Sequence, residues 1–299
     1  MKNTTLLCGL IWLLVLVATV AGIFYQTPGS PIAYTTVRGE QVVFQGSGLY
    51  RYDPAWYVRE GVIWDAINLF IGLPLLAAAL VLNERGLLRG RLLLGGMLFY
   101  FCYVYAMAMT GNSLNPMFLV YVAIFALSGV AFFINLSGID VKHLPMQVSE
   151  RFPRRLFIGF TFLVAVVLTF LWVGRIIPIV VNDRFPPELA GVSTLVGQAF
   201  DLGMVVPLML ATGVLLWRRS AWGYLLASIS ITHGLMMCIT LPAWIVVPLV
   251  QDGKTTLVEA IPFSVLSLAG LYLAARFYRN VQDGPVVDNG LVPKPRIID

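Results

Sequence analysis

The chain has 299 residues, of which 59% are hydrophobic and 12% are charged, and its mean hydropathy is +0.83. This composition excludes an ordinary soluble globular domain, because about a quarter of the residues of such a domain are charged. The formal net charge of +5 does not indicate a nucleic-acid partner, since no basic run is interleaved with aromatic residues on a soluble face.

Eight apolar stretches are long enough to cross a bilayer, which takes about 20 mostly apolar residues as a helix. They are residues 5–25, 62–82, 92–110, 116–136, 156–180, 197–217, 222–249 and 257–278. The first could instead be a cleaved signal peptide, because Ala18 and Ala21 follow an apolar run. We favour an uncleaved span, since Lys2 is its only N-terminal charge. The sequence therefore predicts an all-α membrane protein with eight transmembrane helices.

The lysines and arginines predict how these helices are oriented, because they accumulate on the cytoplasmic side of a membrane. With a cytoplasmic N-terminus, 14 of the 20 lie inside, five lie outside and Arg175 lies within a span. We therefore expect a multi-pass protein of the bacterial cytoplasmic (inner) membrane with both termini in the cytoplasm.

A weak internal repeat relates the two halves of the chain when Pro74 is aligned with Pro207, an offset of 133 residues. The same offset aligns the basic turn 85–90 with 218–223, Asp65 with Gln198, Asn68 with Asp201, and Tyr100 with His233. Four spans in each half require both halves to enter the membrane from the same side, so the predicted architecture is two parallel four-helix repeats.

This repeat divides the chain into a first half at 1–136, a cytoplasmic linker at 137–155, a second half at 156–279 and a disordered cytoplasmic tail at 280–299. The first half includes an outer segment at 26–61. Two β-rich runs around Gly39 predict a hairpin there. The aromatic-rich stretch 48–60 is expected to lie along the outer surface and cap the bundle. The linker is expected to lie on the inner surface, with Arg154 and Arg155 facing lipid head groups.

The few ionisable residues inside spans are candidate functional groups, because charge in a membrane is costly. Asp65 lies three residues, or about 5 Å, into the second span, and Asn68 follows one turn deeper on the same face. Gln198 and Asp201 take the equivalent positions in the sixth span. A helix dipole favours an acid in a first turn by about 0.3–1 kcal/mol, so a water-exposed acid is the alternative to a shared pocket.

Two basic side chains complete this set. Arg175 lies near the outer end of the fifth span, where it either extends to the interface or pairs with Asp201 or Asp65. His233 lies close to the middle of the seventh span. We expect it to hydrogen-bond a helix carbonyl or a tyrosine, with a proton-relay or ligand-contact role as the alternative.

Tyrosines follow one face of the third span, where Gly96, Tyr100, Tyr103 and Met107 recur at helical spacing. Such a stripe packs against other helices or lines a cavity for an amphiphile. Pro74 and Pro207 are expected to kink the second and sixth spans alike, and irregular helices at matching positions of two repeats are typical of transporter binding sites.

Four motifs in roughly the first half of the chain resemble a known group of proteins. They are Gly-Leu-Tyr-Arg-Tyr-Asp at 48–53, Gly-Leu-Pro-Leu-Leu at 72–76, the basic Arg-Gly turn at 85–91 and Tyr-Val-Ala-Ile-Phe at 121–125. There the chain resembles a group of uncharacterised bacterial multi-pass membrane proteins. The resemblance implies no activity and no catalytic residues.

The favoured function is therefore the binding and transport of a small or amphiphilic molecule at a polar site open to the outer leaflet. A sensor or scaffold protein that does not transport is the alternative, and an intramembrane lipid-modifying enzyme with His233 as base ranks below both, because no nucleophile–base spacing is present. We expect no cofactor, no metal and no nucleic-acid partner; the expected partners are the lipid bilayer and a small or amphiphilic ligand. The oligomeric state does not follow from the sequence. The expected site residues are Asp65, Asn68, Tyr100, Tyr103, Arg175, Gln198, Asp201 and His233.

Overall fold

A computed structural model describes residues 2–36, 39–182, 189, 191–252 and 257–283. Within these residues the chain forms eight long helices and one β-hairpin. The helices are α1 (Lys2–Phe24), α2 (Ala55–Glu84), α3 (Leu88–Gly111), α4 (Phe118–Ser137), α5 (Arg154–Asn182), α6 (Val196–Trp217), α7 (Ala221–Asp252) and α8 (Leu257–Asn280).

Seven of these helices, α1 to α7, are long and apolar enough over their described residues to cross a membrane. A mostly helical, membrane-type architecture is thus confirmed. The helix α8 covers the predicted span 257–278 but is not among the seven, so its crossing stays a prediction. The predicted tail lies outside the described residues from 284 onward.

The helix α2 begins at Ala55, earlier than the expected start at 62. Residues 55–60 of the stretch expected along the outer surface are therefore helical and continuous with the second span, and the surface position of 48–60 stays a prediction. Pro54 is the N-cap residue of this helix, and its ring holds φ at −58°. As a consequence Asp65 lies ten residues, or about 15 Å, into its helix.

Each of α2 and α6 contains one π turn, at Asn68–Gly72 and at Asp201–Val205. Pro74 and Pro207 follow these turns at the same distance. A proline lacks the N–H for a helical hydrogen bond, and its ring clashes with the carbonyl four residues earlier, so a local change of helical winding accommodates it. Both π turns begin with a polar residue that the sequence placed in the candidate site.

The short connections that follow these two helices also share one geometry. Gly86 and Arg219 have left-handed backbones with φ of 74° and 56°. In each connection the next N–H donates to the carbonyl five residues earlier, at 3.1 and 2.9 Å, as at many helix C-termini. Gly90 and Gly223 then allow the backbones of successive helices to come close, since a Cβ at either would overlap the preceding helix.

The helices α3 and α7 pack against each other at the centre of the bundle. Gly96 of α3 faces Thr232 of α7 there. The helices α2 and α4 pack on either side of α3, and α6 and α8 pack on either side of α7. At the outside of the bundle, α1 packs on α2 and α4, whereas α5 packs on α6. The connections at 85–87 and 218–220 and the start of α5 carry arginines, and we call this end of the bundle the basic end.

The linker between α4 and α5 is more apolar in its packing than predicted. Leu144, Val148 and Phe152 are buried in one apolar cluster with residues of α7 and α8 such as Leu225 and Phe277. Val148 forms an isolated β-bridge with Val281, after the end of α8. The linker is thus fixed to the bundle by its own apolar residues.

The opposite end of the bundle carries the hairpin formed by β1 (Ile32–Thr35) and β2 (Gln41–Phe44). The predicted hairpin is present, with Gly39 in its turn at φ 85°, and its first strand lies earlier than the predicted run. Residues 37 and 38 lie outside the described residues.

Candidate functional site

The helix α3 directs two tyrosines toward the first residues of the two π turns. The Tyr100 hydroxyl donates a hydrogen bond to Oδ1 of Asn68 at 2.8 Å. The Tyr103 hydroxyl donates to Oδ1 of Asp201 at 2.6 Å. Residues three apart lie on neighbouring positions of one helical face, so one short segment of α3 connects α2 with α6.

The second carboxylate oxygen of Asp201 accepts a hydrogen bond from Nε1 of Trp172 in α5 at 2.9 Å. Two neutral donors therefore contact this half-buried carboxylate. Arg175 lies one turn after Trp172 on α5 and is half-buried. Its expected ion pair with Asp201 or Asp65 stays a prediction. Sequence reasoning missed Trp172, although its spacing from Arg175 places both on the same side of α5.

His233 lies in an aromatic environment at the centre of the bundle. Its side chain is only 1% exposed. The rings of Tyr103, Phe99 and Tyr100 have centroids 4.7, 5.4 and 6.1 Å from its own. The expected hydrogen bond to a carbonyl or a tyrosine was wrong, because neither ring nitrogen has a partner. The two nearby tyrosine hydroxyls donate to Asn68 and Asp201 instead.

Asp65 belongs to a separate hydrogen-bonded pair. The Tyr50 hydroxyl, from the loop before α2, donates to its Oδ2 at 2.6 Å. Gly22 of α1 leaves the space for this carboxylate, since a Cβ there would overlap it. Burial and the nearby carboxylate raise the pKa of Tyr50 well above its ordinary value, so its hydroxyl is a hydrogen-bond donor at neutral pH. Asp65 and Asn68 thus point to different partners although they lie one turn apart.

Gln198, the remaining predicted residue, is half-buried in the first turn of α6, one turn before Asp201. The structure therefore brings together five of the predicted residues and pairs Asp65 with Tyr50, whereas the membership of Gln198 and Arg175 stays a prediction. We call the five the polar cluster: Asn68, Tyr100, Tyr103, Asp201 and His233.

The depth of the polar cluster follows from helix geometry. Asn68 and Asp201 each lie 16 residues before the end of their helix at the basic end, or about 24 Å at 1.5 Å per residue. A hydrocarbon core is about 30 Å thick. The two π turns therefore lie in the half of the bundle nearer the hairpin.

These features define a multi-pass α-helical membrane protein with a buried polar cluster between its central helices. Comparison with protein families, with curated proteins and with solved structures found no match to this chain. Within the described residues, no three His, Cys, Asp or Glu side chains cluster in a way that could hold a metal ion.

Proposed function

We propose that the protein binds a small or amphiphilic molecule at the polar cluster and carries it across the membrane. The single observation that supports this proposal most strongly is His233, which is buried with both ring nitrogens unpartnered. Leaving a buried polar group without a hydrogen bond costs about 1–3 kcal/mol. A titratable group in that condition within a membrane is by default a functional candidate, because a purely structural position would favour an apolar ring.

The position of the cluster between two similar halves supports the same proposal. We propose that residues 1–136 and 156–279 are parallel four-helix repeats, because their π turns and left-handed connections both fall 133 residues apart. Transporters built from repeats bind substrates where the repeats meet, beside helices with irregular winding. The hydrogen bond from Tyr103 to Asp201 joins one half to the other at this place.

The hydrogen bonds of the cluster suggest how a ligand would be bound. A cationic or hydrogen-bond-donating group could replace the Tyr103 hydroxyl at Asp201. His233 could then accept a hydrogen bond from the ligand or exchange a proton with it. The π turns that begin at Asn68 and Asp201 would let α2 and α6 change their helical winding as the site opens. With the basic end in the cytoplasm, the site would open toward the outer leaflet past Gln198, Arg175 and Asp65.

Thermal unfolding of the purified protein in the presence of a panel of small amphiphiles tests this proposal, with native mass spectrometry to detect a co-purifying ligand. A compound that binds only the folded state raises the melting temperature. We expect Asp201→Asn to weaken or abolish this shift, because the amide removes the charge and keeps only one acceptor oxygen where Tyr103 and Trp172 now donate to two.

The matched control is Asp140→Asn, which neutralises a half-buried carboxylate in the linker that is paired with His143. This variant should keep the full ligand shift. Equal shifts in both variants, or no co-purifying ligand and no shift across the whole panel, would contradict binding at the polar cluster.

A scaffold or sensor protein is the second candidate function, and one observation favours it. Asn68, Asp65 and Asp201 already accept hydrogen bonds from within the chain, as a closed structural network would. A scaffold predicts that cross-linking in native membranes captures one partner protein in stoichiometric amount, and that Asp201→Asn leaves this partner bound. A ligand-induced rise in melting temperature that requires Asp201 would favour transport over a scaffold role.

A further inference from the structure

A cleft of about 540 Å³ opens at the basic end, about 24 Å from the π turns. It lies between the start of α5 and the connection from α6 to α7. Three arginines and three apolar side chains line it: Arg154, Arg155, Arg219, Ile158, Phe162 and Trp217. The proposed transport site does not use any of these residues.

Within the residues that the structure describes, the arginines of this cleft have no anionic partner. In the described part of the chain, no carboxylate lies within salt-bridge distance of Arg154, Arg155 or Arg219. Nε of Arg154 is buried and has no hydrogen-bond partner. Like charges that converge on one cleft, with a buried N–H donor unsatisfied, indicate that an anion belongs there.

The backbone at Arg219 gives an independent indication of function. Its φ of 56° lies in the left-handed region, and it is the only residue other than glycine with positive φ among the described residues. The equivalent position in the first connection is Gly86, which takes this conformation without strain. An arginine held in a strained backbone conformation indicates that its side chain is needed, and here it points into the cleft.

The apolar part of the cleft identifies the kind of anion. Trp217 is 72% exposed, and the neighbouring Trp222 is 55% exposed. Exposed tryptophans of a membrane protein are typical of the interface between head groups and acyl chains. A ligand that satisfies both the guanidinium groups and this apolar wall has an anionic head and a hydrocarbon body.

We propose that this cleft binds the phosphate of an anionic phospholipid, with its acyl chains against Trp217 and Phe162. Guanidinium groups bind phosphate oxygens in a bidentate manner, and basic pockets between membrane helices bind the head groups of anionic lipids. With the orientation predicted from the arginines, the lipid belongs to the cytoplasmic leaflet. The position equivalent to Arg219 in the first half is Gly86, which has no side chain to bind a phosphate. The connection in the first half therefore lacks the guanidinium group that Arg219 adds to Arg154 and Arg155.

Native mass spectrometry of the full-length protein tests the proposal. The protein is released from detergent after phosphatidylglycerol, cardiolipin or phosphatidylcholine has been added. We expect selective adducts with the two anionic lipids. Arg219→Gly and Arg154→Gln should each weaken them about fivefold, the effect of one basic residue at a membrane surface. Arg219→Gly also relieves the strained backbone, so the loss of lipid cannot be attributed to unfolding.

The matched control is Arg218→Gln, which removes the same charge from the same connection but does not belong to the cleft. It should keep the wild-type affinity. Equal losses in Arg218→Gln and Arg219→Gly would show a general surface effect and overturn the site. If glycerol 3-phosphate, which has no acyl chains, displaced the lipid at comparable concentration, the cleft would be a site for a soluble phosphate compound and the lipid assignment would be wrong.

Discussion

Replacing Gly96 with alanine perturbs the contact between the two central helices, α3 and α7. A Cβ at this position would overlap Cβ of Thr232 and lie 2.5 Å from its Oγ1 and 2.8 Å from its Cγ2, whereas ordinary contacts of a Cβ lie at 3.4–4 Å. The helices would therefore have to separate by about 1 Å (3.4 minus 2.5 Å). Overpacking of this kind costs about 1–3 kcal/mol.

Gly234→Ala is the matched control, because Gly234 lies on α7 and a Cβ there would meet nothing within 4 Å. Both variants gain the same helix propensity, up to about 1 kcal/mol. Their difference in free energy of unfolding therefore isolates the steric cost, and we expect Gly96→Ala to be less stable by about 1–3 kcal/mol.

Unfolding in mixed micelles with increasing dodecyl sulfate, followed by tryptophan fluorescence, measures this difference. Equal stability of the two alanine variants would refute the close approach of α3 and α7 at Gly96.

Three further predictions use the same unfolding assay. His233→Phe should raise the free energy of unfolding by about 1–3 kcal/mol, because it removes two unpartnered ring nitrogens from an aromatic environment; a loss of stability would show that the imidazole has a partner. Burial raises the pKa of Asp53 above its ordinary value of 3.8, so the wild type should lose stability as the pH rises from below 3.8 through the raised pKa. Asp53→Asn should not show this loss. Parallel curves of unfolding free energy against pH for the two proteins would contradict the prediction. Gly86→Ala should destabilise the protein by about 1 kcal/mol and Arg219→Gly should stabilise it by about 0.5–1 kcal/mol, since both occupy left-handed backbones; shifts of the same sign would contradict the shared geometry of the two connections.

Residues that lie on one helical face could be placed from the sequence. Tyr100 and Tyr103 lie on one face of α3, as their spacing predicts. Each donates a hydrogen bond to a polar residue of a neighbouring helix, Asn68 or Asp201. Asn68 and Asp201 begin matching π turns because proline, a local signal, follows each at the same distance. Helical periodicity and proline act over a few residues, so these relations are readable in one sequence.

The start of α2 could not be read in this way. Residues 55–61 include Arg59 and Glu60, which lower the local hydropathy below that of a membrane span. They are helical nevertheless and half-buried, since this turn of the helix packs against other parts of the fold. The depth of Asp65 depends on this extension.

By itself the sequence determined that the chain is helical and apolar enough to cross a membrane several times, because a span must satisfy its own backbone hydrogen bonds and expose apolar side chains. Only the tertiary structure decided which polar groups meet. Tyr50 reaches Asp65, and Trp172 and Tyr103 reach Asp201, whereas His233 has no partner. The physical reason is that a hydrogen bond between helices requires particular rotations and depths of both, and these are set by close packing at residues such as Gly96 rather than by the polar residues themselves.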